Sequence, residues 1–178
     1  MGEEFTRGEQ EFLLKVARTT LENYFSNREK FEPRSTNPKL WQKRGVFVTL
    51  TEKGELRGCI GYIEPIESVI LAVRDNAISA SHDPRFLPLE REELKQIRIE
   101  ISVLTEALPT TLEDIQTGDG VVIKQGSSQA TYLPQVWQEL SDREMFFSTL
   151  CQKAGLAADC YLQPGLEFFK YQAMVFSE

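Results

Sequence analysis

The ten residues Leu56-Arg57-Gly58-Cys59-Ile60-Gly61-Tyr62-Ile63-Glu64-Pro65 set a thiol between two glycines, with a guanidinium two positions upstream. On an extended strand, side chains alternate between faces. Arg57, Cys59, Gly61 and Ile63 then share one face, and Leu56, Gly58, Ile60 and Tyr62 share the other. A guanidinium beside a cysteine favours thiolate over thiol, lowering a reference pKa of ~8.5, which makes Cys59 a candidate nucleophile. Gly58 and Gly61 leave room for a ligand, or for another backbone, to approach closely. Glu64, at the end of the stretch, is a further candidate binding group. A packing explanation stands beside the chemical one: free cysteine is among the most buried residue types, and glycines in a strand mark bulges or tight crossings.

His82 is the only histidine, so any histidine-dependent proton transfer must use it. It lies in "HDPRF", beside Asp83 and just before Arg85, both candidate binding groups, where a strand–helix connection could return the chain to either end of the Cys59 strand. Its duller role is a helix C-terminal or loop residue, and Asp83-Pro84 is a common turn starter. Cys59, His82, Cys151 and Cys160 are scattered without a two-residue knuckle, so no metal site is expected. Nucleotide-loop, zincin and nucleophile-elbow templates are absent, and no cofactor is expected. "GDGVVIKQG" is glycine-rich, but no helix follows it to hold phosphate. Trp41 and Trp137 read first as core or rim packing.

These residues need elements to position them. Thr6 and Glu9 have capping-box spacing ahead of an apolar stripe that predicts a helix over residues 6–26. Residues 27–44 carry two prolines and little periodicity, which predicts a long loop, functional or mobile. "GVFVTL" and "ELRGCIGYI", joined through "TEKG", predict a hairpin. A helix follows from Pro65 to the "HDP" stop, and the alternation in "QIRIEISVL" marks a strand with one wet face. A second hairpin turns at Gly126-Ser127-Ser128. Ser141 and Glu144 suggest a capped helix ending before Gly155, and "LEFFKYQAMVF" reads as one final strand. Helices and hairpins mix without βαβ alternation, which argues α+β with a largely antiparallel sheet packed with helices.

At 178 residues the chain fits one domain, residues 1–178, with room for a smaller lobe. The apolar share of 41% and eleven Phe support a folded core. No apolar run approaches the ~20 residues of a membrane-spanning helix. "MGEEFTRGEQ" lacks the basic and apolar regions of an export signal, and Gly2 and Thr6 match a myristoylation pattern only weakly. The expectation is a cytoplasmic protein. Its three cysteines, an odd and sparse set, read as reduced thiols. The formal charge of −7 argues against general nucleic-acid binding. Residues 1–44 nonetheless hold nine Lys/Arg against seven Asp/Glu, leaving room for a local basic patch near "RSTNPKLWQKR". Nothing in the sequence sets the oligomeric state.

"GVFVTL…LRGCIGYIEP", "HDPRFLPL…EEL…IEISVLT", "GDGVVIKQG…ATYLPQVWQE" and "FFSTLCQKAGL" together resemble the AMME chromosomal-region candidate protein family. Its prokaryotic members are named AmmeMemoRadiSam system protein A. The similarity runs from about Gly8 to the C-terminal strand, and the "LRGCIG" signature is intact from Leu56 to Gly61. The resemblance implies an α+β fold with a larger antiparallel-sheet lobe, a smaller lobe and a cleft near the signature. It also implies a cytoplasmic protein associated with a Memo-type protein and a radical-SAM enzyme. No reaction is implied, and iron–sulfur chemistry would belong to the partner. Two functions stay in play. One is an accessory or substrate-docking component. The other is an enzyme with Cys59 as nucleophile, Arg57 favouring its thiolate or holding an anion, and His82 or a carboxylate moving protons.

Overall fold

Helix α1 spans Arg7–Asn27 and starts where the sequence places it. The Thr6 hydroxyl accepts from the Glu9 N–H, and the Glu9 carboxylate accepts from the Thr6 N–H at 2.6 Å, a reciprocal capping box. The Thr6 N–H, with further help from Asn37 and Lys39, pulls the Glu9 pKa down to about 2. The computed structural model describes residues 4–178, so Gly2 of the myristoylation pattern lies outside the described residues.

Residues 28–45 run without regular structure apart from a 3-10 turn at Pro38–Trp41, yet they are tied down. Glu32 pairs with the buried Arg74 at 2.9 Å, Lys30 with Asp75 at 3.0 Å, and Lys39 with Glu9 at 3.2 Å. The Asn37 amide adds a 2.7 Å bond to Glu9. Strands β1 (Val46–Glu52) and β2 (Glu55–Tyr62) form the expected hairpin. Its two-residue turn holds Lys53 and Gly54 at φ 53° and 87°, the left-handed pair that a tight hairpin with the strands' own twist requires.

Helix α2 spans Val69–Ala80, starting four residues later than Pro65 suggested, with Ser68 at the N-cap position but making no side-chain capping bond. Strand β3 is Ile97–Leu104. Then come β4 (Leu108–Thr110), the hairpin β5 (Gly120–Gln125) and β6 (Ser128–Tyr132), a single turn α3 (Val136–Glu139) and helix α4 (Arg143–Lys153). The cap of α4 falls on Asp142, whose carboxylate accepts from Met145 N–H at 2.8 Å, rather than on Ser141. The last aromatic stretch is two strands, not one: β7 (Glu167–Tyr171) and β8 (Ala173–Ser177) break at Gln172 and enter different sheets.

The α+β expectation holds, with two antiparallel four-stranded sheets ordered β2-β1-β3-β8 and β4-β7-β5-β6. The chain divides into two compact units. The first runs to Leu104 and takes back Met174–Glu178, and the second is Thr105–Ala173. In the first, α1 and α2 bury Leu13, Ala17, Leu21, Ile70, Val73 and Ala77 against Val46, Val48, Leu50, Ile99 and Ile101 of one sheet face. Burial of this order of apolar surface, at ~25 cal/mol per Å², is the main force holding helices to sheet.

In the second unit, the core is Ile115, Val121, Ile123, Trp137, Phe146, Phe147 and Leu150, with Trp137 stacked on Phe146 at 3.7 Å. Trp137 is therefore core, as expected, and its indole N–H donates to the Asp119 carbonyl at 2.9 Å. Trp41, by contrast, is 41% exposed. The second unit's entry and exit are stitched together: Thr105 N–H donates to the Gln172 carbonyl at 2.8 Å, and Gln172 N–H donates to the Thr105 hydroxyl at 2.9 Å.

The structure corrects one reading of the cysteines. Cys151, in the last turn of α4, and Cys160, in a 3-10 turn at Cys160–Leu162, are joined in a disulfide with Cα atoms 5.9 Å apart. Only Cys59 is a free thiol. Nine residues of separation hide the pair from any spacing rule. What brings them together is the turn at Gly155 and the return of the chain against the end of α4.

Candidate functional site

Cys59 sits on β2, an edge strand of its sheet, opposite Thr49 of β1. Its own peptide groups face away from β1. Cys59 and Thr49 are therefore a non-hydrogen-bonded antiparallel pair, the kind whose side chains lie closest. The Thr49 hydroxyl accordingly reaches the Cys59 sulfur at 3.2 Å. Thr49 is flanked on its other side by Glu100 of β3, so a thiol, a hydroxyl and a carboxylate cross the sheet in one row. This row lies on the face opposite the α1/α2 core, since Val48 and Ile99 beside it are buried in that core.

The outward peptide groups of Cys59 are met by the "HDPRF" turn. Cys59 N–H donates to Asp83 Oδ2 at 2.9 Å, and Arg85 Nη2 donates to the Cys59 carbonyl at 3.2 Å. Asp83 is almost wholly enclosed and binds Arg85 through Nε at 3.0 Å, Nη2 at 2.7 Å and its backbone N–H at 3.1 Å. The Arg85 fork, with the Cys59 N–H, pulls the Asp83 pKa down to about 2 against the opposing effect of burial. Two side chains thus do at one residue what a neighbouring strand would do, closing a sheet edge. The Arg85 side chain is 58% exposed, and its Nη1 makes no hydrogen bond among the described residues.

The other expected members go elsewhere. The β1–β2 register shifts between Leu50 and Thr51, leaving Arg57 as the extra residue, and such a bulge re-aims its side chain. Arg57 forks onto Glu93 at 2.7 and 3.0 Å and donates to the carbonyls of Leu87 and Pro88. It pins the loop after α2 and lowers the Glu93 pKa. The cation that acts on the thiol is Arg85. Burial, the dominant influence, pushes the Cys59 pKa up; Thr49 and Arg85 oppose it, while Asp83 and Glu100 add to it. His82 is exposed, its Nδ1 2.8 Å from the Ser81 hydroxyl, its ring against Tyr24 and Phe25 of α1. Glu64 is exposed beyond the end of β2, its carbonyl accepting from Ile66 N–H.

The glycines answer to backbone rather than to a ligand. A Cβ on Gly58 would lie 2.1 Å from the Ala80 carbonyl at the end of α2, and one on Gly61 would lie 2.2 Å from the Val46 carbonyl. Both distances are far inside van der Waals contact. Gly58 therefore lets the C-terminus of α2 settle on β2, which brings Asp83 and Arg85 to the strand edge. The sequence reading singled out neither Thr49 nor Glu100. Their signal was present in the alternation of "GVFVTL" and "QIRIEISVL", but only the strand register sets them beside Cys59.

Fold and site together define an α+β protein of paired antiparallel sheets in which a turn-borne acid–arginine pair closes an edge strand around a free cysteine. Comparison with known proteins takes this further. A family profile described as AMMECR1 matches residues 14–176. A protein of Methanothermobacter thermautotrophicus is 40% identical over 184 residues, covering 97% of this chain and 96% of its own. One from Methanopyrus kandleri is 38% identical over 195 residues, covering 100% and 92%. The crystal structure of an uncharacterised protein from Pyrococcus horikoshii superposes with a TM-score of 0.89 at 37% identity, over 95% of this chain and 91% of that one. The chain belongs to the AMMECR1 family. Among the described residues, no helix is long and apolar enough to cross a membrane.

Proposed function

We propose that this chain is a non-catalytic, cytoplasmic docking component that acts with a Memo-type protein and a radical-SAM enzyme, and that it meets an acidic group of its partner at Arg85. One observation carries the reading: the groups around Cys59 are spent on holding backbone, not on activating sulfur. Asp83 and Arg85 satisfy its peptide groups, Thr49 donates to its sulfur, and burial keeps the thiol protonated. Arg57 is committed to Glu93, and His82 to the α1 aromatics. A nucleophile needs a base within hydrogen-bond reach, and the hydrogen-bond partner of this sulfur is a hydroxyl. Arg85, in contrast, is fixed by a buried carboxylate and keeps an unused guanidinium edge in solvent. Pre-organisation of that kind lowers the entropic cost of pairing with a carboxylate. The association and the compartment rest on the family resemblance.

The test uses purified Memo-type and radical-SAM proteins encoded by the same organism, with affinity measured by titration calorimetry. Wild type and Cys59→Ala are expected to bind with the same Kd to within about twofold, and Arg85→Glu to bind at least about tenfold more weakly. Failure of the wild-type chain to bind either purified protein would overturn the docking role. A turnover abolished by Cys59→Ala would establish the enzyme reading in its place.

A further inference from the structure

The second unit holds a feature that the docking reading does not use. Its 69 residues, Thr105–Ala173, are few for a self-sufficient core, and their disulfide lies within that core, with Cys151 and Cys160 both buried. The chain between them is mostly exposed, and its backbone hydrogen bonds are local: Gly155 N–H to Gln152, Leu156 N–H to Cys151 and Cys160 N–H to Ala157. Beyond these, Ala154, Leu156 and Tyr161 pack at the edge of the core, Tyr161 stacking on Phe147 at 5.6 Å, and Lys153 donates to the Thr131 carbonyl and lies over the Tyr132 ring. A mostly exposed segment whose backbone hydrogen bonds are local opens at lower cost than a paired strand. The disulfide is the strongest remaining tether.

We infer that Cys151 and Cys160 form a reversible thiol–disulfide latch on residues 152–162, oxidised and reduced by exchange with a low-molecular-weight disulfide and its thiol. In the oxidising direction, the Cys160 thiolate attacks one sulfur of the incoming disulfide. That S–S bond breaks, one thiol molecule leaves and a mixed disulfide forms on Cys160. The Cys151 thiolate then attacks the Cys160 sulfur and expels the second thiol molecule. Two protein thiols are oxidised by two electrons, the external disulfide is reduced, and both protein protons leave on the two product thiols. Cys160 makes the first attack because it belongs to the segment that opens, on the 3-10 turn, whereas Cys151 stays in the last turn of α4. Burial makes exchange wait on opening of the segment, so the latch responds slowly and only where the segment already opens.

The full-length Cys59→Ala chain isolates the pair. It is equilibrated across ratios of reduced to oxidised glutathione, quenched with acid, alkylated and weighed, and amide hydrogen exchange is followed in residues 152–162 of each form. The expected result is an internal disulfide that forms in oxidised glutathione and opens in the reduced form. Exchange in 152–162 should run at least about tenfold faster in the dithiol form while β5 and β7 change by less than about twofold. Two free thiols persisting in oxidised glutathione would overturn the proposal. So would equal exchange of the segment in both forms, or a disulfide that excess reduced glutathione leaves intact. A Cys151→Ala, Cys160→Ala chain gives a second check: its exchange in 152–162 should match the reduced form and ignore the glutathione ratio.

Discussion

Replacing Asp83 with alanine tests the strand-edge closure most directly. Its carboxylate accepts four hydrogen bonds, from Cys59 N–H, Arg85 N–H, Arg85 Nε and Arg85 Nη2. Folding lowers its pKa from 3.8 to about 2, and a shift of nearly two units corresponds to roughly 2–3 kcal/mol favouring the charged folded form. Arg85 is more than half exposed, so it regains water when Asp83 is lost and the ion-pair part is screened. The Cys59 N–H regains less, and an unmet, partly buried donor costs about 1–3 kcal/mol. The expected loss is therefore roughly 2–4 kcal/mol, or a Tm lower by about 5–15 °C for a chain of this length. Because the folded pKa is depressed, the stabilisation is present above the unfolded value near 4 and is lost as pH falls towards 2. The gap between wild type and Asp83→Ala, read by urea titration, should be full at pH 7 and smaller by about 1 kcal/mol at pH 3. A variant within about 0.5 kcal/mol of wild type at pH 7, or a gap that widens in acid, would refute the reasoning.

Four further outcomes follow from the same site. Gly58→Ala should cost at least about 1–3 kcal/mol in chemical denaturation, since the new methyl collides with the Ala80 carbonyl; an unchanged midpoint would mean that α2 does not rest on β2. Iodoacetamide should label native Cys59 at pH 7 at least about tenfold more slowly than a cysteine in an unfolded peptide, because its pKa is raised. The same raised pKa sets the sign at alkaline pH: the folded state holds the proton longer, so stability falls as pH rises past the ordinary thiol value. Arg57→Ala should loosen the loop around Leu87 and Pro88 and lower Tm, yet leave the Cys59 labelling rate within about twofold, which would not hold if Arg57 activated the thiol.

Local signals carried the first half of the fold into view. Thr6 and Glu9 announce a helix start because the capping box involves four consecutive residues, and Gly54 announces its turn because that position needs positive φ. The final strands resisted reading because "LEFFKYQAMVF" carries no glycine or proline where the chain changes sheets. At the site, alternation separates Cys59 from the core-facing Ile60 and Tyr62, and the connection expected to bring "HDPRF" to either end of the Cys59 strand instead brings Asp83 and Arg85 to its edge. The exchange of roles between two arginines was not visible. A bulge is a property of two paired strands, so nothing within "LRGCIG" says that Arg57 will be turned towards Glu93. Arg85 reaches the Cys59 carbonyl across the close approach of α2 to β2 at Gly58, a contact distant in sequence.

Along the chain, the second unit is inserted between the two stretches of the first, which bears on how this chain can be cut and rebuilt. The first sheet is completed by β8, which is made only after the whole of Thr105–Ala173 has been synthesised. A stop codon anywhere in the later half therefore deprives the earlier half of its last strand, even though no residue of α1, α2, β1, β2 or β3 is missing. Because Thr105 and Gln172 are already hydrogen-bonded to each other, the reverse operation is open: excising the insert and bridging the gap with a short turn would graft Leu104 almost directly onto β8.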